Sequence, residues 1–246
     1  MNPCVLVPIY NHADTIAGVL RSLAPLGLPC LVIDDGSDET TRHALERAGH
    51  EFPWVTVERL PANRGRGAAL RHGYHSAWAR GYSHVVQLDA DGQHDADDVP
   101  RFLEVARQRP EALVLGTPVF DESAPRSRLV GRRISCFWVH VETWSLAIRD
   151  PLCGFRCLPL ASTVALLSRT PLGDRMEFDP QIVVHLAWRG VPIANLPTRV
   201  RYFDQGVSHF RPLDDNLRIT WAHTRLVFGM LWRLVGGGIR GRAAPR

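Results

Sequence analysis

The sequence predicts an α/β fold whose mostly parallel sheet is covered by helices on both faces. Three observations lead there. From residue 4 to about 116, short apolar or β-branched runs alternate with segments of helical period, the signature of βαβ units. Several of those runs are apolar at every position, as strands buried on both faces are. Finally, 246 residues with 45% apolar and 22% charged side chains are enough for a large core and give disorder no compositional basis.

Taken in order, the first strand is predicted at 4–9, entered directly through Cys4-Val5-Leu6-Val7. A helix follows, because Ile16, Val19, Leu20 and Leu23 recur at i, i+3, i+4 and i+7 behind an Asp14 cap. Strands are predicted at 30–34, 54–58, 84–89 and 112–116, with Asp38 and Asp97 placed as caps of further helices. A longer helix is predicted from 129 to 148, with Val130, Ile134, Phe137, Val141 and Trp144 on one face. Another begins near Pro180 and carries Ile182, Val183, Leu186 and Ala187 to a stop at Gly190. In the last, 217–235, Leu217, Trp221, Phe228, Leu231, Trp232 and Val235 fall near one stripe beside Arg218, Arg225 and Arg233. Such a helix packs on its domain or rests on a membrane surface. No repeat or linker divides the chain, so one domain is expected over 1–212, with the amphipathic helix and basic tail of 213–246 appended.

Composition excludes several chemistries. All 29 basic residues are Arg, so a phosphate loop and a pyridoxal Schiff base both lack their Lys. A net charge of +4 and a pI near 9.0, without a dense basic stripe, argue against nucleic acid but leave anionic ligands open. The five cysteines, at 4, 30, 136, 153 and 157, are odd in number and irregular in spacing, which suits the reduced thiols of a cytoplasm. The N-terminus lacks the charged and apolar regions of a signal peptide, and no stretch reaches ~18 uncharged apolar residues.

The strongest chemical signal is Asp89-Ala-Asp91-Gly-Gln93-His94, directly after the fourth strand. Ligands of open α/β sheets collect beyond the carboxyl ends of the strands, and two carboxylates beside a carboxamide are hard oxygen donors suited to Mg²⁺ or Mn²⁺. A phosphatase with a nucleophilic Asp would carry its pair after the first strand and a Lys later; neither is present. A dinucleotide oxidoreductase would show a glycine fingerprint where this chain has Pro8-Ile-Tyr10-Asn11-His12. Tyr10 there offers a ring to stack. The second strand ends in Asp34-Asp35-Gly36-Ser37, where a carboxylate such as Asp35 can accept from a base or ribose, although the same residues also make a good turn and helix cap. Asn63-Arg64-Gly65-Arg66-Gly67 opens a helix with small residues and Arg groups near its N-terminus.

In this order the motifs resemble the family 2 glycosyltransferases with the nucleotide-binding GT-A fold, and among them the dolichyl-phosphate mannose synthase-like branch. The likeness covers roughly 3–210 and includes Val7-Pro8-x-Tyr10-Asn11, Asp34-Asp35-Gly36-Ser37, Asn63-x-Gly65-x-Gly67, Asp89-x-Asp91-x-Gln93 and Asp150-x-x-x-Gly154-Phe155-Arg156. It implies inverting transfer from a UDP- or GDP-linked sugar to a lipid-like acceptor at the cytoplasmic membrane face, with peripheral contact to that membrane. It implies a metal at Asp89, Asp91 and Gln93, and the donor among Pro8, Tyr10, Asn11, Asp34, Asp35, Arg66 and Asp89. Arg132, Arg133, Arg156, Ser208 and His209 would meet the acceptor or its phosphate. The chain departs from the branch at Phe203-Asp204-Gln205-Gly206-Val207-Ser208-His209-Phe210, where His209 stands in place of a Lys. That leaves two acceptors open, a polyprenyl phosphate or the hydroxyl of a lipid or polyene. A phosphate is already anionic, whereas a hydroxyl needs a base, for which Asp150, Glu177 and Asp179 are the candidates. A sugar-phosphate nucleotidyltransferase and a non-catalytic nucleotide-sugar-binding subunit are the competing readings.

Overall fold

The computed structural model describes residues 1–120, 126–201 and 212–235. Seven strands build one sheet: β1 (Pro3–Ile9), β2 (Cys30–Asp34), β3 (Val55–Arg59), β4 (His84–Gln87), β5 (Leu113–Phe120), β6 (Arg156–Pro159) and β7 (Ile193–Val200). Their order is β3-β2-β1-β4-β6-β5-β7, and β6 runs antiparallel to both β4 and β5 while the other pairings are parallel. The sheet is therefore mostly parallel, as predicted. The strands expected in the first half are all present, β4 ending two residues early and β5 running four residues further.

β6 and β7 are not foreseen by the sequence. Four residues give β6 too little length for a pattern to show. β7 contains Pro197, which a central strand would reject; it lies opposite Thr117 at the edge of the sheet, where a missing N–H is tolerated.

Alternation along β1 divides the core in two. Val5, Val7 and Ile9 face α1 (Ala13–Leu23), α2 (Glu39–Glu51) and α4 (Val99–Gln108). Cys4 and Leu6 face the other layer, built by α3 (Arg66–Ala79), α6 (Leu160–Leu167), α7 (Phe178–Trp188), α5 (Arg126–Thr143) and α8 (Pro212–Val235). Period 2 in the strands and one apolar face per helix produce this sandwich. All five cysteines are free thiols, and no described helix is long and apolar enough to cross a membrane.

Three side-chain contacts hold α8 against α5 and α7. His223 Nδ1 meets Glu142 Oε1 at 2.8 Å in the interior, and Trp144 Nε1 donates to Met230 Sδ at 3.2 Å. Arg233 Nη2 donates to the Trp188 carbonyl at 2.8 Å, with its guanidinium 5.3 Å above the Trp188 ring. His185 lies edge-on to Trp188. Burial, reinforced by Arg189, Arg233 and Arg225, pushes the His185 imidazole down to about 4. In the unfolded chain His titrates near ~6.5, so between pH ~6.5 and ~4 the unfolded state binds more protons and stability falls as pH falls. Allowing for solvent contact, this amounts to ~2 kcal/mol. In urea titrations across that range, His185→Gln is expected to flatten the slope; an unchanged slope would remove His185 as its origin.

Candidate active site

After β1 the chain turns to one side for β2 and β3, then returns to place β4 on the other side of β1. The loops leaving β1 and β4 therefore diverge, opening the crevice where open α/β sheets bind ligands. The segments Tyr10–His12 and Asp89–His94 follow β1 and β4 there, and the end of β2 lies next door, with Ile9 in register with Asp34.

On the β1–β2 side the structure builds a rigid floor. Asp34 is buried; its Oδ1 accepts from the Ser37 N–H at 2.9 Å and its Oδ2 from Arg59 Nη1 at 2.6 Å. Both oxygens of Asp34, a residue expected to contact the donor, are thus engaged at the end of β2, by the Ser37 N–H and by Arg59. Asp35 accepts from the Arg64 and Gly65 N–H groups at 2.9 and 2.7 Å, tying β2 to the start of α3. Burial pushes its carboxyl above the ordinary value, against the pull of those two N–H groups and Arg175. Asn11 takes a left-handed φ of 53°, which Asn tolerates better than most residues. Its N–H donates to Ser37 Oγ at 3.0 Å and its Oδ1 accepts from the Asp38 N–H at 2.8 Å. Pro8 is buried in β1 and Tyr10 is half-buried at its end.

The Gly65-x-Gly67 pair does admit a close backbone, but it is the chain's own. A Cβ on Gly65 would stand 2.5 Å from the Asp174 carbonyl oxygen, and one on Gly67 2.8 Å from that of Gly173. The Ala68 N–H donates to the Asp174 carbonyl at 3.0 Å. Several donors at this helix start are therefore already engaged by the protein.

The centre of the crevice is a chain of alternating charges. Arg66 Nη1 lies 2.6 Å from Asp89 Oδ1, Arg66 Nε 2.9 Å from Asp179 Oδ2, and Arg156 Nη2 3.1 Å from Asp179 Oδ1. Burial alone would lower the Arg66 pKa, but the two carboxylates outweigh it and hold the guanidinium above its ordinary value. Burial opposes ionisation of Asp89 as well, yet Arg66 and then His94 bring its carboxyl below the usual range. Asp91 goes the other way: burial and the Asp89 charge raise it, offset in part by the Gln93 N–H at 3.0 Å and the imidazoles of His94 and His12. His94 rests on Phe155, which stacks on Phe102 with ring centroids 4.2 Å apart. Gly154 covers Asp89 so closely that a Cβ would stand 2.2 Å from Asp89 Oδ2 and 2.8 Å from Arg66 Nη2. Gly154→Ala is expected to displace Asp89, costing ~1–3 kcal/mol in thermal unfolding; a wild-type melting curve would show that the carboxylate has room.

Several predicted residues have other places than expected. Arg156, expected at the acceptor, is fully enclosed and donates to the Cys153 carbonyl through Nε at 3.0 Å and through Nη2 at 2.7 Å. Asp150 Oδ1 accepts from the Leu152 and Cys153 N–H groups, and Oδ2 from Arg132 Nη1 at 2.5 Å. Asp179 is held between two Arg groups. Glu177 is buried, with Oε1 accepting from the Arg175 N–H at 3.4 Å. None of these three carboxylates stands open to solvent as a free base would. Arg132 also lies over the Phe120 ring at 5.3 Å, while Arg133 is exposed. Ser208 and His209 fall outside the described residues. A cavity of about 410 Å³ between Asp98, Arg101, Thr198 and Arg199 has ligand dimensions, but neither Asp89 nor Asp91 lines it.

Sequence reasoning missed the Arg66–Asp179–Arg156 chain, although Arg66 and Arg156 lie in quoted motifs and Asp179 is among the candidate bases. Residue type was the misleading signal, since Arg is rarely fully buried.

The residues fit a divalent cation in one respect: a guanidinium now compensates Asp89, and Asp91 beside it is short of positive charge. Among the described residues no three His, Cys, Asp or Glu side chains form a closed cage. An ion there would be held by Asp89 and Asp91 and completed by ligand oxygens and water, the manner of Mg²⁺ with a phosphate ligand.

The model of glycosyl transferase family 2 matches residues 4–172, more than half of the chain. The glycosyltransferase AglJ of Haloferax volcanii is 30% identical over 202 residues, covering 79% of this chain and 61% of that protein. An undecaprenyl-phosphate 4-deoxy-4-formamido-L-arabinose transferase of Klebsiella pneumoniae is 30% identical over 226 residues, covering 84% of this chain and 63% of that protein. The chain therefore spans about three fifths of the length of these two relatives. Glucosyl-3-phosphoglycerate synthase from Mycobacterium tuberculosis, solved with Mn²⁺, uridine-diphosphate and glucosyl-3-phosphoglycerate, matches with a TM-score of 0.61 at 20% identity over 96% of this chain and 80% of its own. That likeness establishes a GT-A fold.

Proposed function

Since the chain belongs to glycosyl transferase family 2, we propose that it moves a sugar from a nucleotide-diphosphate donor to a lipid-like acceptor, with inversion. The observation that carries this reading is the pairing of Asp89 with Arg66 beside Asp91, at the point where the strand order reverses. A divalent cation, Mg²⁺ or Mn²⁺, held by Asp89 and Asp91 with Gln93 near, would supply charge stabilisation to a departing diphosphate; the Mn²⁺ and uridine-diphosphate of the mycobacterial structure support it.

The chain's own residues do the rest. Tyr10 and the floor set by Asn11 and Asp35 orient the nucleotide, and Arg66 is placed to meet diphosphate oxygens with its planar fork. Orientation of the acceptor oxygen behind the anomeric carbon is the remaining contribution. All three candidate bases are buried, two of them in ion pairs, which favours an acceptor that arrives as an anion and needs no base. A polyprenyl phosphate is such an acceptor, and the Klebsiella relative is named for one. Arg133, exposed on α5, is the cation we assign to it.

The test is incubation of the full chain with UDP- and GDP-sugars, Mn²⁺ and a short polyprenyl phosphate. Acceptor-dependent release of a nucleoside diphosphate, with a lipid-linked sugar formed, is the expected result. Pyrophosphate release would indicate nucleotidyl transfer instead, and binding without turnover of any donor would indicate a non-catalytic subunit.

A further inference from the structure

Away from the crevice, four basic side chains converge on a further cavity. It holds about 240 Å³ and is lined by Leu60, Arg64, Ala68, Arg71, His72 and His75. Ala68, Arg71, His72 and His75 stand at i, i+3, i+4 and i+7 of α3 and so share one helix face. Leu60 and Arg64 come from the loop that joins β3 to α3. Tyr10, Asp35, Arg66, Asp89 and Asp91 lie outside the lining, which separates this cavity from the candidate active site.

Charge decides what it can take. Two acids answer the four basic groups: Glu58 Oε2 lies 2.6 Å from His72 Nε2, and Asp174 Oδ1 2.6 Å from Arg71 Nη1. Arg71 Nη2 also donates to the Leu172 and Gly173 carbonyls at 2.8 and 3.2 Å, and these contacts do not exhaust the five N–H groups of a guanidinium. Arg64 and His75 are exposed, and among the described residues neither side chain has a hydrogen-bonding or ionic partner. The surplus is therefore positive, and guanidinium forks beside an imidazole suit the oxygens of a phosphate. Leu60 and Ala68 add a small apolar surface. At about 240 Å³ the cavity falls below the ~300–1,000 Å³ of clefts that enclose drug-sized ligands. That leaves no room to enclose a nucleoside diphosphate, but room for a phosphate group on a short carbon chain.

The neighbours give occupancy a consequence. The Arg64 N–H donates to Asp35 Oδ1 at 2.9 Å, while Arg71 grips 172–174, where the Asp174 carbonyl also accepts from the Ala68 N–H. An anion shared by Arg64 and Arg71 would link the loop behind Asp35 to the segment that leads into α7.

We propose that this cavity is an anion site, where Arg64, Arg71 and His75 take the phosphate group of a small phosphomonoester or orthophosphate itself. The inference does not rest on sugar transfer, and its test does not use it.

The experiment is titration of the full chain with orthophosphate and with glycerol 3-phosphate at constant ionic strength, followed by calorimetry and by hydrogen exchange, with sodium chloride as the control. Saturable binding is expected, with slower exchange of the amides at 63–65 and 172–175. Arg64→Ala and His75→Ala are each expected to weaken binding about tenfold. Both side chains are exposed, so the thermal midpoint without phosphate is expected to stay at the wild-type value. Tighter binding of glycerol 3-phosphate would identify an ester as the ligand, and equal or tighter binding of orthophosphate would identify the free ion; either supports the site. Binding that survives both substitutions, or slower exchange at 89–94 instead, would put the anion elsewhere and overturn the proposal. A response that sodium chloride reproduces would reveal general screening and overturn it as well.

Discussion

Replacing Asp91 by Ala lowers donor turnover by ~10²–10³-fold and leaves the melting temperature near that of the wild type. The two halves of this expectation have one origin. Asp91 is crowded by the Asp89 charge and by burial, which raise its carboxyl, so in the absence of a cation it contributes repulsion to the fold. Its removal relieves that repulsion, but takes away one of the two carboxylates able to hold a cation against a diphosphate. Asp91→Asn separates the effects further, since it can still accept from the Gln93 N–H that Asp91 engages at 3.0 Å. The carboxamide is expected to lose turnover as fully as Ala. Activity within a few-fold of wild type in either variant would remove Asp91 from the chemistry.

Arg66→Ala is the complementary case, where stability is lost. Without the guanidinium, Asp179 keeps Arg156 but Asp89 is left, among the described residues, with no cation closer than the His94 imidazole at 3.7 Å, and breaking such a pair from one side costs ~3 kcal/mol. The pH dependence carries a sign that checks the cause. Because Arg66 holds Asp89 below its ordinary range, the wild-type pair contributes stability above pH ~4 that is lost as pH falls further. The variant is expected to lack that contribution and so to show a shallower loss in acid. Mn²⁺ is expected to raise the melting temperature of Arg66→Ala more than that of the wild type, by restoring a cation beside Asp89. An equal shift in both proteins would mean that no cation enters between these carboxylates.

How legible these features were depended on what each pattern encodes. The runs at 4–9 and 30–34 are apolar at nearly every position and reappear as β1 and β2, because burial on both faces leaves only one reading. The interrupted run of β7 showed nothing, since an edge strand tolerates Pro197 and polar neighbours. Asp89, Asp91 and Arg66 were legible as candidates because they follow a strand or open a helix, and the topology brings those ends together. The internal partners of Arg156 and Asp34 were not legible for the opposite reason: the residue types suggest a ligand, whereas Cys153, Asp179, Ser37 and Arg59 are brought to them by the tertiary fold. Helical period revealed the stripes of α5 and α8 but not their direction, since a 3.6-residue repeat is the same whether it points inward or outward.

The charge chain from Asp89 through Arg66 and Asp179 to Arg156 joins residues as far as 113 positions apart. On the ribosome, Arg66 and Asp89 emerge well before the helix that bears Asp179. A nascent chain at that stage holds the first half of the candidate site without the braces that set its angles. Translation must proceed past α7 before the two ends can lock, so a product cut short before that helix keeps the signature acidic motif and has no assembled pocket around it.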